Sequence, residues 1–257
     1  MTALRSALFN LLFYGLTAVT ALLCLPLVLF PPAATLRLSE FWTATTMRLL
    51  ATICGLSYEV RGTDFRPTGE PVVVAVKHQS AWETLAMPLL LPRPAYILKK
   101  ELLRIPLFGW YLRRTGQIAI DRSGGAGALR AMATEAKAAL TAGRPVLIFP
   151  EGTRAAPGTT GTFHPGVAAL YKRLGVPVVP VALNSGLFWG RRAFNKQAGR
   201  ILVEFLPPIP PGLKPRDFLA ELEHRIAAAT ARLEDEARTG LNNGDGQPVE
   251  IGDNSKI

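Results

Sequence analysis

Pro71-Val72-Val73-Val74-Ala75-Val76-Lys77-His78-Gln79-Ser80-Ala81-Trp82-Glu83 is the stretch whose reading decides the fold. Its first six residues are apolar and rich in β-branched valine, the pattern of a strand buried on both faces. Polar residues follow at once, and Thr84 to Leu91 reads as the start of a helix. A buried strand that opens straight into a helix belongs to an α/β sheet, and such sheets place their chemistry at strand ends. His78 is the candidate general base, because an imidazole takes and returns protons near neutrality. Glu83 is the nearest carboxylate that can hold the other ring nitrogen and fix the tautomer. No obvious nucleophile accompanies the pair, so the attacking hydroxyl is expected to come from the substrate. Ser80 and Glu83 also spell an S-x-x-E capping box, a structural reading that stands beside the catalytic one.

Outward from this stretch, short apolar strands alternate with amphipathic helices. Strands are expected near Tyr58–Arg61, Val72–Val76, Ala95–Leu98, Ile118–Ile120, Val146–Phe149, Val176–Ala182 and Ile201–Phe205. Helices are expected near Trp82–Leu90, Leu102–Arg114, Ala126–Ala142, Val167–Leu174 and Asp217–Arg238. In the last of these, Phe218, Leu222, Ile226 and Leu233 keep a helical stripe. Strand-helix alternation with continuously apolar strands predicts an α/β fold with a mostly parallel central sheet covered by helices.

Three further strand ends carry charge. Phe149-Pro150-Glu151-Gly152-Thr153-Arg154 closes one strand with a sharp turn. Gly152 allows an unusual backbone angle or a close ligand, Glu151 can accept from a substrate hydroxyl, and Arg154 offers a planar fork of donors to phosphate oxygens. Arg122 ends Ile118-Ala119-Ile120-Asp121-Arg122, and Lys99-Lys100 ends the strand before it. In parallel strands these ends share one edge, giving one base among several cations, which suits transfer chemistry on a substrate that bears a phosphate. There is no G-x-x-x-x-G-K-[ST] loop, no G-x-G-x-x-G, and no metal-ligand spacing among His78, His164 and His224. No nucleotide cofactor and no metal are therefore expected.

The chain has 257 residues, 49% of them hydrophobic, and a formal net charge of +10. That balance favours an anionic membrane surface or phosphorylated substrates. No basic run interleaved with aromatics suggests a nucleic-acid groove. Cys24 and Cys54 form no C-x-x-C and no disulfide framework, which points to a reducing compartment. Ala7 to Ala34 contains no charged residue, and Leu8 to Phe30 is the most apolar window. As a helix that window would be roughly 35 Å long, enough to cross a bilayer core. A second apolar helix is expected near Phe41 to Leu56, so that two helices could form a hairpin dipped into one leaflet. The expected organisation is membrane-anchoring helices over residues 1–56, an α/β domain over 57–239, and a polar, disordered tail over 240–257.

These blocks, in this order, resemble those of the membrane-bound glycerolipid acyltransferases, specifically the bacterial 1-acylglycerol-3-phosphate acyltransferases. The first block of that family is a His followed five residues on by an acid, here His78 and Glu83. The second ends in an arginine after a strand, here Arg122. The third is Phe149-Pro150-Glu151-Gly152-Thr153-Arg154, and the fourth is the proline-bearing strand Val176-Pro177-Val178-Val179-Pro180-Val181. The segments Lys99-Lys100-Glu101-Leu102 and Ile105-Pro106-Leu107-Phe108-Gly109-Trp110 also look like the family. The resemblance implies an N-terminal two-helix membrane motif on the α/β domain. It implies that His78 deprotonates the free hydroxyl of a lysophospholipid, which attacks an acyl thioester with no acyl-enzyme, and that Glu83 orients His78. Lys99, Arg122 and Arg154 would bind the glycerol phosphate, in a pocket shaped by Glu151, Gly152 and Thr153. The co-substrate would be acyl-CoA or acyl-acyl carrier protein, with the acyl carrier protein a further partner. The location implied is the bacterial inner membrane, catalytic domain on the cytoplasmic side. Two positions depart from the family: Glu83 stands where an Asp is usual, and His164, left outside the site, stands where a lysine is frequent.

Two rival readings follow from the same residues. One keeps the acyltransferase but changes the acceptor to glycerol 3-phosphate, another lysophospholipid or a lyso-ornithine lipid. The other is a non-catalytic peripheral membrane protein that binds anionic lipid through its basic surface. The loop Asn184 to Gly199, with Phe188, Trp189, Arg191, Arg192, Phe194 and Lys196, is a candidate for docking at the lipid interface or against an acyl carrier.

Overall fold

The structure, a computed structural model, describes residues 1–121, 123–159 and 161–242. Two helices come first, the apolar α1 (Thr2–Cys24) and α2 (Pro32–Leu49), which carries Arg37, Glu40 and Arg48 and is less apolar than expected. Prolines set their ends. Pro26 opens a 3-10 turn over Pro26–Leu29 that stops α1 short of Phe30. Pro32 sits in the first turn of α2, where a missing N–H costs nothing. The second helix therefore begins well before Phe41, and a wide π-helical turn, Leu50–Cys54, ends it.

The sheet has seven strands: β1 (Leu56–Arg61), β2 (Val73–Val76), β3 (Ala95–Lys99), β4 (Ile118–Ile120), β5 (Val146–Ile148), β6 (Val178–Leu183) and β7 (Gly199–Phe205). Their spatial order is β1-β7-β6-β2-β5-β3-β4. The five strands from β6 to β4 are parallel, and β7 with its parallel neighbour β1 runs against β6. The mostly parallel sheet expected from the apolar runs is thus present.

Helices cover both faces. Val74 and Val76 of β2 face a core shared with α1, α2 and α3 (Trp82–Leu90). Val73 and Ala75 face a second core with α5 (Gly125–Thr141), α6 (Pro165–Leu174) and α7 (Pro215–Asn242). All four β2 residues are buried, and each buried valine contributes about 1.5–3 kcal/mol. The single helix expected over Leu102–Arg114 is broken. A 3-10 turn, Lys100–Arg104, is followed by Pro106 and only then by α4 (Phe108–Arg114). Pro106 has no N–H for a continuing helix, and Leu107 takes a left-handed φ of 62°. α7 runs past Gly240 to Asn242, so the expected start of the tail falls inside a helix. The remainder of that tail, residues 243–257, lies outside the described residues.

Because β6, β2, β5, β3 and β4 share one direction, their C-terminal ends share one edge. Asn184, Lys77, Phe149, Lys100 and Asp121 leave the sheet there in that spatial order.

Candidate active site

β2 delivers Lys77 and His78 to this edge, and the next residues turn into α3. The expected capping box forms only in part: Glu83 Oε1 accepts from the Ser80 N–H at 2.6 Å, but Ser80 Oγ accepts from the Trp82 N–H at 3.1 Å rather than from that of Glu83, and Ala81 takes the N-cap position. The same Oε1 accepts from the Gln79 N–H at 2.7 Å and lies 2.8 Å from His78 Nδ1. One carboxylate oxygen of Glu83 thus holds both the amides at the helix start and the imidazole. Its other oxygen, Oε2, accepts from the Ser185 hydroxyl at 2.8 Å. A carboxylate on Nδ1 keeps the ring proton there and leaves Nε2 as the proton acceptor. The imidazole is stacked on Phe149, with centroids 4.0 Å apart and planes 20° apart, so its orientation is fixed from two directions.

His78 lines a cavity of about 1150 Å³ whose wall also includes Lys99, Gly152, Thr153 and Arg154. These are the sequence-predicted residues that the fold brings together. Gly152 adopts φ 63°, the left-handed conformation that glycine takes without a Cβ clash. Of the two lysines at the β3 end, Lys100 is held by Asp121, whose carboxyl is lowered to about 2 by that contact and by Ser123. Lys99 stays exposed on the cavity wall. Arg122 lies outside the described residues. His164, which the sequence left outside the site, stands at the N-cap position of α6 and lines the same cavity. Among the described residues no three His, Cys, Asp or Glu side chains gather in a way that could hold a metal ion.

Glu83 and Glu151 are both buried, away from the cavity wall. Glu151 Oε1 forms an ion pair with buried Lys77, and Oε2 accepts from the His78 N–H at 3.0 Å. Lys77 Nζ also donates to the Thr159 carbonyl at 3.1 Å, and the Ala155 N–H donates to the His78 carbonyl at 2.8 Å. Glu151 thus clamps the β5 loop to the β2 loop and fixes the backbone of His78. Both its oxygens are turned into the protein rather than toward a substrate hydroxyl.

In the loop after β6, Arg191, Arg192 and Phe194 stay exposed while other residues turn inward. Phe188 and Lys196 are buried. Lys196 donates to Asn10 Oδ1 at 2.6 Å and lies over the rings of Phe9, Trp189 and Phe194. Its N–H donates to Ser6 Oγ at 2.9 Å. This loop therefore fastens α1 to the α/β domain. Sequence reasoning missed Lys77, Gln79 and Ser185 as site-building residues. Lys77 and Gln79 stood in the quoted stretch, but their partners lie 74 and 155 residues away.

A family model described as Acyltransferase matches residues 57–184 of the chain. Over 188 residues the chain is 40% identical to a 1-acyl-sn-glycerol-3-phosphate acyltransferase of Pseudomonas aeruginosa, covering 73% of this chain and 72% of that one. It is 34% identical over 192 residues to 1-acyl-sn-glycerol-3-phosphate acyltransferase alpha of Bos taurus, covering 72% and 67% of the two chains. A crystal structure of the 1-acyl-sn-glycerophosphate acyltransferase from Thermotoga maritima shares the fold, with a TM-score of 0.74 at 23% identity, over 91% of this chain and 98% of that one. With His78, Lys99 and Arg154 on one cavity and relatives matched over most of its length, the chain belongs to the acyltransferase family, among the 1-acyl-sn-glycerol-3-phosphate acyltransferases.

Proposed function

We propose that this enzyme moves a fatty acyl chain from an acyl thioester to the free sn-2 hydroxyl of 1-acylglycerol 3-phosphate, giving phosphatidic acid. The observation that carries the reading is the 2.8 Å contact of Glu83 with His78 Nδ1, on a cavity that Lys99 and Arg154 also line. His78 Nε2 takes the proton of the bound hydroxyl as its oxygen forms the bond to the thioester carbonyl carbon. The C–S bond then breaks, and the imidazolium returns the proton to the departing thiolate. Lys99 and Arg154 hold the phosphate, and Gly152 and Thr153 form the turn that carries Arg154. Both serines beside the dyad are buried and engaged, Ser80 with the Trp82 N–H and Ser185 with Glu83, which favours direct transfer without an acyl-serine. The donor is acyl-CoA or an acyl carrier protein thioester, and no cofactor is required. The enzyme works at the inner membrane, with the α/β domain on the cytoplasmic side.

Purified protein given an acyl thioester and lysophosphatidate should release thiol in step with phosphatidate. His78→Ala should lower turnover by about 10²–10⁴ at an unchanged melting temperature, because Glu83 keeps its three other donors. Absence of turnover by the unmodified protein with both donor classes would end this reading.

A further inference from the structure

We propose that Ser185 is a positioning residue for acyl transfer: its hydroxyl fixes the second oxygen of Glu83 and so aligns the carboxylate that serves His78. This inference rests on the reading of His78 and Glu83 as the catalytic pair.

Glu83 Oε1 takes three donors, His78 Nδ1, the Gln79 N–H and the Ser80 N–H, all from its own segment. Three donors on one oxygen leave the carboxylate free to pivot about that oxygen. The Ser185 hydroxyl, at 2.8 Å on Oε2, is the donor that sets the plane, and it comes from the far side of β2, at the end of β6. Both side chains are fully buried, so loss of this bond leaves a carboxylate oxygen without its donor in the interior. Misalignment on this scale is what catalysis is sensitive to.

The turn that presents Ser185 is itself held at every residue. Asn184 Nδ2 donates to the Leu233 carbonyl at 3.0 Å, and Asn184 Oδ1 accepts from the Leu202 N–H at 2.9 Å. The Gly186 N–H donates to Gln79 Oε1 at 3.1 Å. A Cβ on Gly186 would stand 2.9 Å from Pro157 Cγ and 3.0 Å from Gln79 Cβ, so the turn packs directly against the loop that carries His78. Gln79 Nε2 in turn donates to buried Glu234 of α7 at 2.7 Å. A hydroxyl fixed this firmly and aimed at one carboxylate oxygen is built to orient it.

The test compares Ser185→Ala, the near-isosteric weak donor Ser185→Cys and the hydroxyl-retaining Ser185→Thr with the unmodified enzyme. Ser185→Ala is expected to lower kcat about 10-fold or more while KM for lysophosphatidate changes by less than about 2-fold. The acidic limb of the kcat/KM profile should shift as well. Ser185→Cys should fall between the two, and Ser185→Thr should restore the profile. If Ser185→Ala does not fold, the Cys variant carries the comparison. A folded Ala or Cys variant with wild-type kcat and an unmoved pH profile would overturn the role of Ser185 while leaving His78 as base. An active His78→Ala would instead overturn the underlying reading.

Discussion

Glu83 meets His78 despite an arm one methylene longer than the aspartate usual in the resembled family. The extra reach carries the carboxylate over the Gln79 and Ser80 amides, which hold it where an imidazole nitrogen can share it. Glu151 has the opposite fate. The sequence offers it as a substrate ligand, but Lys77 and the His78 N–H occupy its two oxygens in the interior. The two kinds of charge separate by experiment. Removing one partner of a buried ion pair strands the other, at a cost of about 3–5 kcal/mol. Glu151→Gln should therefore lower the melting temperature and lose activity with the fold. Arg154 lines the cavity and takes no part in that clamp. Arg154→Ala should leave the melting temperature alone and raise KM for the phosphate-bearing acceptor by roughly 10-fold or more. Equal melting temperatures for Glu151→Gln and the unmodified protein would deny Glu151 its structural role.

Among the elements, α7 does more than cover the sheet. Its buried stripe of Phe218, Leu222, Ile226 and Leu233 packs on one face, and Glu234 beside it reaches Gln79 in the active-site loop and the Gly158 N–H. Its far end is clasped to β1. Arg61 donates to both oxygens of Glu236, at 2.6 and 2.7 Å, and to Glu59 at 2.7 Å. The guanidinium holds both carboxyls below the usual carboxylate range. A carboxyl depressed in the folded state adds stability above its unfolded pKa, about 4.3, and that stability is lost as pH falls through the folded value. The clasp is partly exposed, so its worth near neutrality is about 0.5 kcal/mol. The melting temperature should hold from neutral pH down to about 5 and fall below it; Arg61→Met should blunt that fall in melts across the same range. The sequence made such elements legible where period and chemistry agreed: the valine run of β2, the S-x-x-E start of α3, and the charged ends of β3 and β5. It misled where one residue overrode a stripe, as Pro106 did in splitting the expected Leu102–Arg114 helix. It was silent on Ser185, whose partner lies 102 residues away, after the neighbouring strand. No local pattern encodes such a contact, because register and sheet order create it.

The whole molecule sets this chemistry against an apolar face. α1 is long and apolar enough to cross a membrane, and 11% of its most apolar window is buried. Ser6, Phe9, Asn10, Phe13 and Thr17 turn toward the rest of the protein, where Lys196, Trp189 and Trp42 meet them. Leu4, Leu11 and Leu22 remain exposed, as do Leu29 and Phe30 in the turn before α2. Leu36, Trp42 and Thr43 of α2 form part of the cavity wall, so the helix beside the apolar face also bounds the site. The formal charge of +10 adds attraction to anionic headgroups, which salt screens over about 10 Å at 0.1 M. Apolar insertion does not screen in this way, so the two contributions separate. Raising salt should weaken binding to anionic vesicles and leave a residual that neutral vesicles share. Each leucine withdrawn from lipid costs about 1.5–3 kcal/mol, so Leu11→Glu with Leu22→Glu should lower vesicle binding by about 100-fold or more at any salt. Turnover on detergent-dispersed substrates should stay near the wild-type value, because neither leucine lines the cavity. Cosedimentation of the double variant with vesicles to the same extent as the unmodified protein would place the membrane contact on another face.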